Sequence, residues 1–247
     1  MKPFIIANWK MHFSLAEAVD ICFNIISQDL QHNLIIATPA PYLAYLSHKF
    51  ESIKFCAQNV SHFADHGAYT GEFSAIMLKS SSIDYAVIGH SERRNIFGET
   101  NELIAQKVHH CVQNGVTPII CIGESLFVRD NYDYKTFLTT QLINSIADLS
   151  LTQTVIIAYE PIWSIGTDII PASEQLIEIF THLHFICQQT QIANNINLVY
   201  GGSVNLNNIQ QILKIPYIQG VLVGKAALDS EVLSQMLRAC LTRASKR

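Results

Sequence analysis

Eight short apolar runs, spread over the whole chain and separated by helix-like stretches, constrain this sequence more than anything else in it. They are Phe4–Asn8, Leu34–Ala37, Lys54–Gln58, Tyr85–Ile88, Thr117–Ile122, Val155–Glu160, Asn197–Gly201 and Gly220–Val223. Each holds four to six residues and is apolar throughout instead of alternating. Strands buried on both faces read this way, and parallel sheets are buried on both faces.

Helices fill the gaps. Ser14 and Glu17 form a capping-box pattern ahead of Leu15, Val19, Cys22, Phe23, Ile26 and Leu30, which the spacing places on one face. Thr100 is a candidate cap for a helix carrying Leu103, Ile104, Lys107, Val108 and Cys111, ended by Gly115. Ser173 precedes Leu176, Ile177, Phe180 and Leu183, and Asp229 precedes Val232, Leu233, Met236, Leu237 and Cys240. No low-complexity linker or shift of composition divides the chain. Eight strand–helix units over residues 1–247 predict an α/β fold, a single (β/α)8 barrel domain. A doubly wound sheet is the rival, but it places a glycine-rich turn after its first strand, where this chain has Asn8-Trp9-Lys10.

In a barrel, functional side chains collect at strand C-termini. Three such ends stand out together. Asn8 and Lys10 offer an amide and a cation, His90 an imidazole at a strand-to-helix turn, and Glu160 a carboxylate followed by Pro161. Proline ends the strand, and the segment that follows carries Trp163 and closes on Gly166, as a short lid would. A base, a cation and a neutral donor are the groups needed to abstract a proton beside a carbonyl and hold the resulting enediolate.

These stretches resemble the triosephosphate isomerase family. The resemblance runs the length of the chain: ANWK at 7–10, AQNVSHF at 57–63, YTGE at 69–72, VIGHSERR at 87–94, CIGE at 121–124, AYEPIWSIGT at 158–167 and YGGSV at 200–204. It implies a TIM barrel that interconverts dihydroxyacetone phosphate and D-glyceraldehyde 3-phosphate in glycolysis and gluconeogenesis, without cofactor or metal. That family is itself a standing illustration of pKa tuning and lid closure, so these roles come from the resemblance and not from spacing. Glu160 becomes the general base, and His90 a neutral donor to the carbonyl. Lys10 stabilises negative charge, Asn8 orients the substrate oxygens, and Glu92 anchors the cluster near Lys10. The lid runs from Pro161 to about Asp168. The phosphate falls to backbone N–H groups of Gly166, Ser203, Gly224 and Lys225.

The chain departs from the family pattern in three places. Lys225 and Asp168 stand where glycines are usual, and the hinge Ile169-Ile170-Pro171 is short. A different sugar-phosphate enzyme on the same scaffold, such as a lyase, and a catalytically silent phosphate-binding barrel are the alternatives.

Other features read as structural. His62 and His66 have metal-like spacing inside a Gly/Asp-containing loop, which favours a surface or interface loop. His182 with His184, and His109 with His110, sit too close in sequence to share a helix face. Arg93, Arg94 and Glu124 read as ion-pairing residues, and Cys121 as a packing residue near Glu160. The run Gly220 to Ala226 lacks the spacing and the Ser/Thr of a P-loop.

The segment from His62 to Phe73 is long for such a loop. In the resembled family it enters a second subunit, which places Thr70 against the partner's Asn8–Lys10 region and implies a homodimer. Charged residues are only 15% of the chain, which also suggests extra burial in an oligomer. With a net charge of −4 and no basic stripe, nucleic acid is not an expected partner. Six scattered cysteines without a CxxC pair suggest reduced core thiols. The N-terminal apolar stretch is too short for a signal peptide, and no run reaches a membrane span. A soluble cytoplasmic protein is expected.

Overall fold

A computed structural model of the chain describes residues 3–146, 154–167, 169–190 and 196–242. Its eight strands are β1 (Phe4–Asn8), β2 (Leu34–Thr38), β3 (Lys54–Ala57), β4 (Tyr85–Ile88), β5 (Thr117–Ile122), β6 (Val155–Tyr159), β7 (Ile196–Tyr200) and β8 (Ile218–Val223). They close in sequence order into an all-parallel barrel, with β1 paired to both β2 and β8. The connecting helices are α1 (Leu15–Ser27), α2 (Ala40–Lys49), α3 (Ala75–Ser80), α4 (Ser91–Ile96), α5 (Asn101–Gln113), α6 (Leu126–Asn131), α7 (Tyr134–Ser145), α8 (Ser173–Gln189), α9 (Ile209–Ile212) and α10 (Ser230–Thr242).

The uniform apolarity of the strands has a direct cause. Ile6, Ile35, Ala37, Cys56, Val87, Ile119, Cys121, Ile156, Ala158, Val199 and Leu222 fill one core cluster inside the barrel. Their neighbours along the strands, such as Ile5, Ala7, Ile36, Ile157, Tyr159, Val221 and Val223, belong to a second cluster with the helices. Because side chains alternate faces, both sets of each strand are buried. The alternation also aims the site. Ile6 points inward in β1, so Asn8 inherits the inward side; Ile156 and Ala158 point inward in β6, so Glu160 does too.

Helix starts follow their caps. Ser14 Oγ accepts from Glu17 N at 3.4 Å while Glu17 Oε2 accepts from Ser14 N at 2.7 Å, closing the capping box of α1. Thr100 Oγ1 caps α5, and Asp229 Oδ1 accepts from Glu231 N and Val232 N at the start of α10. In α8 Ser173 is the first helical residue; Ala172 holds the cap position, with Gln175 reaching back to its N–H. The buried face of α1 differs from the expected one. Ala18, Ile21, Cys22 and Ile25 are buried, whereas Leu15 and Phe23 are exposed. Phe23 instead packs edge-on against Phe50, 5.0 Å between ring centroids, at the helix flank.

Candidate active site

The strand ends on one rim surround a cavity of about 570 Å3. Every residue expected from the sequence to act on or bind the substrate lines it: Asn8, Lys10, His90, Glu160, Gly166, Ser203, Gly224 and Lys225.

β1 ends in Asn8, and the chain then bends through Lys10 with φ of 51°. A lysine in the left-handed region is held there by its surroundings. Asn8 Oδ1 accepts from Lys10 N at 3.1 Å, and Gln58 Nε2 donates to Lys10 O at 2.8 Å and to Ala37 O at 2.9 Å. Gln58, just past β3, therefore locks the bend. The Lys10 ammonium donates to Glu92 Oε1 at 2.6 Å. Partial burial pushes the Glu92 carboxyl up, but the hydrogen bond from Lys10, together with the Lys10 charge, outweighs it and leaves it below its ordinary value.

His90 follows β4 at the cap of α4 and is 5% exposed. Its Nδ1 accepts from Glu92 N at 3.3 Å, so the ring proton sits on Nε2. Nε2 lies 3.6 Å from Glu160 Oε1.

Glu160 stands one residue beyond β6, with its N–H still laddered to Ile122 O at 2.7 Å. It is 1% exposed. Oε2 accepts a long bond from Ser91 N, 3.4 Å, and Oε1 has no hydrogen-bond partner. A buried acceptor without a partner on a cavity wall is a place for a ligand group. The carboxylate fits there because position 201 lacks a side chain: a Cβ on Gly201 would lie 2.8 Å from Glu160 Cγ. Beneath it, burial and then the Glu160 charge push the Cys121 thiol well up, consistent with a packing residue beside the acid.

The segment after Glu160 is anchored at both ends. A turn over Ile162–Ser164 follows Pro161, and Trp163 Nε1 donates to Glu124 Oε1 at 3.2 Å. The same oxygen accepts from Arg129 Nη1 at 2.8 Å and Tyr159 Oη at 3.0 Å, and Glu124 O accepts from Ile162 N at 3.0 Å. Glu124 is thus an ion-pairing residue, as expected, and also the post to which the lid's start is tied. Ser164 Oγ donates to Ile169 O at 2.5 Å, while Ser203 Oγ donates to Ser164 O at 2.5 Å and Ser203 N to Ser164 Oγ at 3.3 Å. Gly166, at φ of 68°, forms the exposed tip. Asp168 lies outside the described residues. Lys225 opens an ordinary turn over Lys225–Leu228 and is not among the residues with positive φ, so its side chain meets no backbone obstacle.

The residues read as structural are engaged accordingly. Arg93 pairs with Glu99, and Arg94 donates to Asn101 Oδ1 and to the carbonyls of Gly89 and Cys121. His182 meets Thr139 while His184 stacks on Tyr217, so the two point apart. All six cysteines are buried. Among the described residues no helix is long and apolar enough to cross a membrane. Gln58 is visible in the sequence as a polar residue at the third strand's C-terminal end, but its link to Lys10 is not, and no role is legible there for Ser91 and Ser164; these contacts cross the barrel and no local pattern encodes them.

A buried carboxylate facing an imidazole and a lysine, at the rim where barrel enzymes do their chemistry, defines a barrel enzyme of the acid–base class. A family model described as triosephosphate isomerase matches residues 3–240. The triosephosphate isomerase of Orientia tsutsugamushi (strain Ikeda) is 44% identical over 246 residues, covering 96% of this chain and 98% of that protein. The namesake from Thermodesulfovibrio yellowstonii is 40% identical over 237 residues, with 92% and 95% covered. That of Francisella tularensis subsp. mediasiatica is 36% identical over 252 residues, with 97% and 99% covered. The chain belongs to the triosephosphate isomerase family.

Proposed function

We propose that this chain interconverts dihydroxyacetone phosphate and D-glyceraldehyde 3-phosphate through an enediolate, and so serves glycolysis and gluconeogenesis. Glu160 takes the carbon-bound proton, and the electron pair moves onto the carbonyl oxygen. Lys10 and the Nε2–H of His90 stabilise that oxygen as its charge grows, with Asn8 orienting the substrate. A proton then passes from the neighbouring hydroxyl oxygen to the former carbonyl oxygen by way of His90 Nε2, and Glu160 returns its proton to the carbon that bore the carbonyl. The observation that carries this reading is Glu160 Oε1: buried, without a partner, on the cavity wall and 3.6 Å from His90 Nε2.

The phosphate would take the backbone N–H groups of Gly166, Ser203, Gly224 and Lys225. Ser203 N now donates a long bond to Ser164 Oγ, so phosphate would exchange one acceptor for a charged one as the lid closes. Residues 1–247 act as one barrel domain in a cytoplasmic homodimer. The dimer is supported by the exposed loop over residues 64–72, where Phe63 and Tyr69 stack with centroids 3.7 Å apart, and by Met11, 94% exposed beside the site. Sedimentation should show a dimer; a fully active monomer at nanomolar concentration would refute it.

The activity is tested by a coupled assay with both triose phosphates on wild type and Glu160→Gln. Wild type should turn over, and the variant should lose about a thousandfold or more while still binding a triose phosphate analogue. Cleavage of a larger sugar phosphate instead would make the chain a lyase on this scaffold. Binding of the analogue by wild type with no turnover would make it a silent barrel.

A further inference from the structure

The charges on the cavity wall do not by themselves invite a dianion. Lys10 and Lys225 contribute two cations, and Glu160 and Asp229 two anions. Glu92 Oε1, 2.6 Å from Lys10 Nζ, already offsets the first cation. Asp229 is fixed in place, since its Oδ1 accepts from Glu231 N at 2.9 Å and Val232 N at 3.0 Å. The whole chain carries −4, so the distant field does not compensate. Without Lys225, a phosphate dianion would approach a wall of net negative charge.

Lys225 is available for the task. Among the described residues no carboxylate forms an ion pair with it. It stands beside Gly224, whose position packs on the other lysine: a Cβ at 224 would lie 3.6 Å from Lys10 Cε. The two lysines therefore border one stretch of the same cavity.

We propose that the Lys225 ammonium holds the phosphate dianion of the substrate, a side-chain contact added to the backbone amides. This rests on the triose phosphate reading and extends it. Amides supply partial charges, while a lysine supplies a whole mobile charge on a flexible stem. It follows that affinity at this site depends on the dianion and weakens with salt, because screening acts on a partly exposed charge pair.

Lys225→Met keeps most of the stem and removes the charge, whereas Lys225→Arg keeps the charge. Two readouts are needed: steady-state kinetics with glyceraldehyde 3-phosphate, and calorimetric titration of inorganic phosphate, which does not depend on turnover. The methionine variant should raise KM and the phosphate Kd about tenfold each, lower kcat by a smaller factor, and flatten the salt dependence of KM. The arginine variant should stay within about threefold of wild type in both. Phosphate and substrate bound by Lys225→Met as tightly as by wild type would overturn the proposal. So would a loss confined to kcat, or one shared equally by the Met and Arg variants, which would mark a packing role. If wild type turns over neither triose phosphate, the isomerase reading fails, while the phosphate titration still decides the role of Lys225.

Discussion

Two buried glutamates, Glu99 beneath the fourth βα loop and Glu160 at the barrel mouth, show how one side chain is given two uses. Glu99 Oε1 accepts from Lys107 Nζ at 2.5 Å and from Arg93 Nε, and Lys107 also reaches Asn59 Oδ1 at 2.7 Å. Burial pushes the Glu99 carboxyl up, but these two cations outweigh it and hold it below its ordinary value. Burial lowers Lys107 in spite of the Glu99 and Glu72 carboxylates, and the charge of Arg93 adds to the lowering. Glu160 is at least as buried, yet it has one long amide contact and an imidazole at 3.6 Å. A buried oxygen without a partner does not distinguish them, since Glu99 Oε2 lacks one too. What differs is that Glu160 borders a cavity and has no Lys or Arg paired to it among the described residues. An acid neutralised by cations holds the fold, and one left unneutralised beside space is available for chemistry.

Exchanging the two acids for amides should separate these uses. Glu160→Gln should remove about three orders of magnitude or more of turnover and leave the unfolding midpoint nearly in place. Glu99→Gln should do the reverse, destabilising by about 3–5 kcal/mol in denaturant titration because Lys107 is left buried without its carboxylate. Its surviving folded fraction should keep turnover within a few fold. The acid limb should change as well. A carboxyl held below its ordinary value stabilises fully above about pH 4.5, and that contribution is lost as pH falls through the lower folded value. The Glu99→Gln variant should therefore lose less stability than wild type over that interval. Smaller still, Trp163→Phe removes one of three side-chain donors to Glu124 Oε1 and should weaken the lid's anchor by about 1 kcal/mol, lowering kcat/KM by less than about tenfold. Equal stability losses in Glu99→Gln and Glu160→Gln would erase the distinction.

Much of this was legible because the barrel repeats a simple rule. Strands buried on both faces had to be apolar, so all eight could be placed, with ends shifted by no more than two residues. Gln58, Glu160 and Gly201, read as strand residues, stand one step beyond strand ends, which is what frees their side chains or backbone for the site. Helices were harder. In α7 the buried face includes Gln141 and Ser145; Gln141 Oε1 accepts from Gly123 N at 2.8 Å, and Ser145 Oγ takes part in the Arg94 contacts. Polar residues on a core face blur the periodicity that marks a helix. The short helices α3, α4 and α6 carry too few turns to show a period at all. The site's main groups were visible as odd polar residues at strand ends. Their mutual support through Gln58, Ser91, Glu124 and Ser164 was not, because each link joins segments far apart in the chain.

In the proposed reaction Glu160 moves a carbon-bound proton, and solvent exchange reports that step directly. Dihydroxyacetone phosphate incubated in D2O with wild type should gain deuterium at the carbon beside the carbonyl, followed by proton NMR, while Glu160→Gln should exchange about a thousandfold more slowly or not at all. Exchange by the glutamine variant at the wild-type rate would show that another group carries the proton, and the assignment of the barrel mouth would fall with it.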